Sequence, residues 1–360
     1  MKGFITSCFL TLITYVSAKW SVSQNKILYN NNEVNIKGIN WHGLENRNNI
    51  LDGLFFNSMD FYLDLLKSNN FNMIQVPLSE EFILYNIDFY PNNDLISKSQ
   101  DLQQKKSIEI LDILFDKALQ RDIGIVLSLT NLEYDNNNPL WYIPNNSNYT
   151  LNTFFNTWKI LLDRYSNKKN LVGINLYQSP NDPASLGTDD INNDWNLVSN
   201  SLINNLITNY NNLDVLFFIS GINNGLNING LNSSNENVVY TINNFAPSVY
   251  LNVSINYNDR NSWDLLFGNT AENVSIVISS WGGITVIPGD YLWELNFKSY
   301  LFSKNIKNNF FWSLGPTAGV RGGLLSDNWT DIKSVILEIL KTLQPEPTSF
   351  NFNNKNLRIR

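Results

Sequence analysis

Two serines at the ends of apolar runs stand where this chain could do chemistry. A buried strand is predicted over Leu171–Leu176, and it gives way abruptly to Tyr177-Gln178-Ser179-Pro180. A second strand, predicted over Ser275–Ser279, gives way to Ser280-Trp281-Gly282-Gly283. A hydroxyl that attacks needs a base to take its proton, and the single histidine, His42, lies far off in sequence. An unassisted serine has no basic form near neutral pH, so it neither attacks nor cycles a proton. His42 follows a predicted strand end and reads as a packed, hydrogen-bonded residue; with no His or Cys partner it makes no metal site. No cofactor is expected. Glu45, Glu80, Glu81 and Glu133 follow strand ends and read as solvated loop charge. Asp182, three residues after Ser179, and Asp290, in Ile287-Pro-Gly-Asp-Tyr291, are further acids that could supply ionisable groups. Aromatic rings after strand ends can stack on the flat faces of a ligand. Trp41, Trp141, Trp281, Trp312 and Trp329 are at predicted strand ends or in the loops that follow.

The elements that would position these residues alternate. Predicted strands are 34–39, 73–76 (stopped by Pro77), 125–129, 171–176, 215–220, 238–242, 275–279 and 310–313. Between them lie apolar residues at helical spacing over 59–67, 107–121, 154–165, 195–208, 263–267, 291–304 and 331–343. Trp158, Trp195 and Trp263 sit on such patterns and read as core. Near-continuous apolar strands alternating with helices imply a parallel sheet covered on both faces. Eight such units imply a single-domain α/β fold, a closed (β/α)8 TIM barrel with its site at the carboxyl ends of the strands.

The chain has 360 residues, 43% hydrophobic, enough for one large core. Its net charge of -7 comes with no basic patch, which argues against nucleic acid or an anionic membrane as partner. Residues 1–18 read as a secretion signal: Lys2, an apolar run from Phe4 to Val16, and the small-residue site Val16-Ser17-Ala18. That run is too short to span a bilayer. The only cysteine, Cys8, lies in it, so the mature protein is expected to have no disulfide. Residues 19–345 are read as the barrel and 346–360 as a tail without a lipid-anchor signal. Sequons at Asn145, Asn148, Asn232, Asn252, Asn273 and Asn328 suit a secreted glycoprotein.

Several strands resemble those of glycoside hydrolase family 5, the cellulase family. Lys37-Gly-Ile-Asn-Trp-His-Gly-Leu-Glu45 is similar to its first-strand motif and Asn70–Pro77 to its second. Leu171–Pro180 is similar to its fourth, Val239–Pro247 to its sixth, and Phe311–Pro316 with Gly322–Trp329 to its last. The resemblance implies a retaining hydrolysis by two carboxylates roughly 5 Å apart, one a nucleophile and one an acid/base. Carried over by position, the acid/base falls on Ser179 and the nucleophile on Ser280. The family's Arg falls on Gln75, its third-strand Asp and His on Ser128 and Thr130, its Asn on Gln178, and its sixth-strand His and Tyr on Asn243 and Phe245. Only the last-strand aromatic, Trp312, is kept. The sequence reading is therefore of a secreted pseudoenzyme on this barrel, not a working enzyme. It would hold β-glucan or a related polysaccharide through Trp41, His42, Trp141, Trp281 and Trp312, at a cell wall or coat. Two alternatives stay open: a structural, coat or decoy protein with a protein partner, and a glycosidase acting through displaced carboxylates.

Overall fold

The computed structural model describes residues 19–250, 259–316 and 322–352. The predicted leader, Cys8 and the Asn252 sequon lie outside them. Three short strands come first: β1 (Trp20–Ser23), β2 (Lys26–Tyr29) and β3 (Asn32–Glu33), paired antiparallel. Eight parallel strands then close a barrel: β4 (Lys37–Asn40), β5 (Met73–Ser79), β6 (Gly124–Asn131), β7 (Leu171–Asn175), β8 (Leu216–Ser220), β9 (Val238–Phe245), β10 (Ile276–Gly282) and β11 (Asn309–Phe311), with β11 paired to β4. Around them run α1 (Met59–Ser68), α2 (Glu80–Tyr85), α3 (Ser107–Gln120), α4 (Leu151–Tyr165), α5 (Trp195–Asn209), α6 (Arg260–Leu266), α7 (Pro288–Ser303) and α8 (Ser334–Leu343). The expected single-domain TIM barrel is what forms.

Local chemistry sets these elements. Ser58 caps α1 by accepting from the Phe61 amide, and Thr150 caps α4 in the same way from Thr153. Pro77 does not end its strand as predicted; β5 continues to Ser79. The Gln75 carbonyl accepts from Trp41 N, so by alternation Pro77 faces the same neighbour. That neighbour, β4, has already ended at Asn40, so the missing proline N–H interrupts no ladder bond. The α2 turn was not anticipated. Ser79 caps it, and Glu80 follows at full burial, which corrects its reading as a solvated charge.

Side chains facing the barrel axis change character along the strands. In the amino half they are apolar: Met73, Val126, Val172, Leu216, Phe218, Val239, Val277 and Phe310 form one buried cluster. A Cβ on Gly38 would lie 2.3 Å from the Phe310 ring, so glycine is required for that ring to enter. Trp20, Ile27, Phe350 and Phe352 cap the cluster from below, with Phe350 and Phe352 stacked 4.8 Å apart. Part of the predicted tail is thus packed structure, held where Asp122 accepts from the amides of Phe350 and Phe352. In the carboxyl half the inward positions turn polar.

Candidate functional site: a neutral network at the barrel mouth

The polar half of the barrel interior holds two hydrogen-bonded tiers, one above the other. In the lower tier, Gln75 Nε2 donates to Asn40 Oδ1 at 2.7 Å and to the Ser279 carbonyl at 3.1 Å. Ser279 Oγ donates to Gln75 Oε1 at 3.1 Å and accepts from Asn175 Nδ2 at 3.1 Å. In the upper tier, Gln178 Nε2 donates to Ser280 Oγ at 2.5 Å and to Asn243 Oδ1 at 3.3 Å. Thr130 Oγ1 donates to Gln178 Oε1 at 3.2 Å, and Asn243 Nδ2 donates to Ser179 Oγ at 2.6 Å. Ser280 thus meets the Gln178 amide and Ser179 the Asn243 amide, and these two amides are bonded to each other. None of these residues is ionisable. Buried amides and hydroxyls that satisfy one another avoid the desolvation cost that a charge would carry here.

A bulge makes the two tiers possible. The pairing of β10 with β9 shifts between Ile278 and Ser280, where Ile278 faces Ile242 and Ser280 faces Asn243. In a regular strand neighbours point to opposite faces. Across this bulge Ser279 and Ser280 both reach the network, one in each tier. Ser179 holds φ at 69°, in the left-handed region that non-glycine residues seldom occupy. Asn175 Oδ1 in the lower tier and the buried Ser128 Oγ, two residues before Thr130, have no protein partner.

The aromatic candidates separate. Trp141 packs on Trp195, and Trp281 lies edge-on to Phe311 with its indole N–H on Asn309. Trp41 donates to the Asp52 carbonyl and packs edge-on to Tyr62. All three are fully enclosed in the outer core, which corrects the expectation that they line the cleft. Trp312 stands at the mouth, after β11. The His42 ring stacks on it at 6.0 Å and 27°, and Phe245 meets it edge-on at 6.4 Å. Sequence reasoning missed the neighbouring rim: Phe56, 40% exposed, stacks on Trp329 at 5.6 Å. The adjacent phenylalanines 55 and 56 after Gly53 were the available signal.

The acids are distributed unevenly. Asp290 is buried and accepts from Ser248 N, Ser248 Oγ and Ile284 N, tying two loops together. That occupation corrects its reading as a displaced acid. Asp182 is exposed, before a cis proline bond. Glu45 and Asp52 flank His42: Asp52 Oδ2 is 3.1 Å from His42 Nε2, and Glu45 accepts from Gly43 N at 2.6 Å. Burial pushes the Glu45 carboxyl up, while the His42 charge pulls it down. A small cavity lined by Asn25, Val34, Ala271, Ile276 and Asn308 lies at the opposite, amino end of the strands. Among the described residues, no cluster of His, Cys, Asp and Glu is arranged for a metal ion, and no helix is long and apolar enough to cross a membrane.

No family model matches the chain. An endoglucanase of Paenibacillus polymyxa is 28% identical over 344 residues, covering 88% of this chain and 84% of that protein. The major extracellular endoglucanase of Xanthomonas campestris pv. campestris is 25% identical over 340 residues, covering 86% and 68%. An endocellulase of Pyrococcus horikoshii, solved as a complex with cellotetraose, superposes with a TM-score of 0.82 at 23% identity, over 92% of this chain and 99% of its own. These relatives overturn the expectation that the chain is no enzyme. Proteins named as endoglucanases match it over most of both sequences, and it shares the cellulase barrel.

Proposed function

We propose that the chain is a secreted, β-glucan-active protein of the cellulase type, and that the glucan lies across the barrel mouth. The observation that carries this reading is the polar barrel mouth, with Trp312, 5% exposed, between His42 and Phe245 beside it, in a chain 28% identical to an endoglucanase. Sugar hydroxyls both donate and accept, as do Gln178, Ser179, Asn243 and Ser280. Trp312 and the Phe56–Trp329 stack would offer apolar faces to the pyranose rings. In this reading Ser179 and Ser280 stand where the relatives carry their acids.

Hydrolysis of the bound chain is the chemistry that the relatives' names favour. The network hydroxyls and amides have no form that exchanges a proton near neutral pH. A hydrolytic step here would draw on Glu45 and Asp52 at the rim. One of them is pushed toward its protonated form by burial, as a general acid requires.

The test is calorimetric titration with cellotetraose and laminaritetraose, alongside a reducing-sugar assay on Glu45→Gln and Asp52→Asn. Saturable heat with cellotetraose supports the reading. Absence of heat with either sugar at millimolar concentration rejects it. Sugar release that survives both substitutions would reject the role given to Glu45 and Asp52.

A further inference from the structure

His42 is the chain's single histidine, and it touches both kinds of group at the mouth. Its Nε2 lies 3.1 Å from Asp52 Oδ2, with the two side chains 12% and 38% exposed. Such shielding makes an ion pair stronger than one on open surface. Asp52 is itself fixed: its amide donates to the His42 carbonyl, its carbonyl accepts from Trp41 Nε1, and its Oδ1 accepts from Gly53 N. The other face of the imidazole belongs to Trp312. Gly315 makes room for this packing, since a Cβ there would come within 3.2 Å of His42 Cε1 and 2.9 Å of Trp329.

We propose that His42 is a positioning residue for glucan binding: its imidazolium, clamped by Asp52, fixes the Trp312 ring, so that grip on the sugar strengthens as pH falls. This rests on the β-glucan reading above. Among the described residues, Asp52 and Glu45 from its own loop and Trp312 and Gly315 from the loop after β11 lie against His42. Both carboxylates favour the charged ring, as does the indole face. Once His42 loses its proton the Coulomb hold on it disappears, and the indole loses a neighbour that kept it oriented. A platform ordered before binding spares the sugar the cost of ordering it. Glu45 also titrates, so Glu45→Gln is the control that isolates the imidazole.

The experiment follows the one imidazole resonance by NMR and measures cellotetraose binding at pH 5.5 and pH 8. The expected result is a midpoint that falls in Asp52→Asn, because the paired carboxylate favours the charged ring. Binding is expected to be severalfold tighter at the lower pH. His42→Gln, which keeps a hydrogen-bond donor without the charge, should bind with affinity that no longer changes between the two. Thermal melts of each variant show that it is folded. A midpoint that Asp52→Asn leaves in place overturns the proposal. Equal wild-type affinity at both pH values also overturns it, and leaves the β-glucan reading standing. No binding at either pH removes both.

Discussion

Gln178 donates to Ser280 at 2.5 Å, joining the loop after β7 to the bulge of β10 across the barrel mouth. This bond is the centre of a network in which amides and hydroxyls have replaced any need for charge. A neutral network of this kind tolerates loss of a member better than it tolerates a new ion. Ser280→Ala leaves Gln178 Nε2 with only the longer bond to Asn243, and should cost about 1–2 kcal/mol. Ser280→Glu buries a carboxylate with no cation beside it, and should cost about 3–5 kcal/mol at neutral pH. Urea unfolding of the two variants checks the order; equal losses would argue against a charge-free site.

Two buried acids should make stability fall as pH rises. Burial pushes Glu80 up to about 8, with Thr153 opposing, and pushes Glu294 up to about 8, with Asp290 adding to the rise and Gly283 and Lys333 opposing. Both pKa values are raised on folding, so the folded state favours the protonated form. Their stabilising contribution is complete below about 4.5 and is lost as pH climbs toward 8. Glu80→Gln and Glu294→Gln should each gain on the order of a few kcal/mol at pH 8 relative to pH 4.5. Denaturant midpoints at both pH values report this, and a double variant with the wild-type pH slope would contradict it.

The enclosed and rim indoles should respond differently. Trp312→Ala should weaken cellotetraose binding by at least tenfold, or about 1.4 kcal/mol. Trp281→Phe should leave binding intact and lower stability, because its ring is fully buried and its N–H is bonded to Asn309. Affinity and melting temperature measured on the same preparations separate the two effects. Trp281→Phe weakening binding as much as Trp312→Ala would reverse these roles.

Passage through a secretory pathway should leave two chemical marks. Mass spectrometry of protein secreted from eukaryotic cells should find an N-terminus at Lys19 and glycans among Asn145, Asn148, Asn232, Asn273 and Asn328. All five side chains lie at exposed positions. An uncleaved leader or five bare asparagines would remove the secretion reading.

The barrel was legible because its strands are apolar runs of the right length, separated by helices with a clear apolar stripe. The neutral residues of the network were named too, because the family resemblance carries its site positions onto Gln75, Thr130, Gln178, Asn243 and Ser280. Two things were not. The β10 bulge leaves no trace in a pattern of alternating residues, so Ser279 could not be seen to share the interior with Ser280. Burial of acids after strand ends also escaped: Glu80 and Asp290 are charged residues read as loop positions, yet both are buried. The same long-range packing encloses Trp41, Trp141 and Trp281, each adjacent in sequence to a strand end or loop that a sugar could reach.

A crystal structure of the protein with cellotetraose tests the central claim most directly. The account predicts a glucosyl ring against Trp312 and the Phe56–Trp329 stack, with sugar hydroxyls within hydrogen-bond reach of Gln178, Ser179 or Asn243. A sugar bound elsewhere on the barrel, or an empty mouth at saturating concentration, would contradict it.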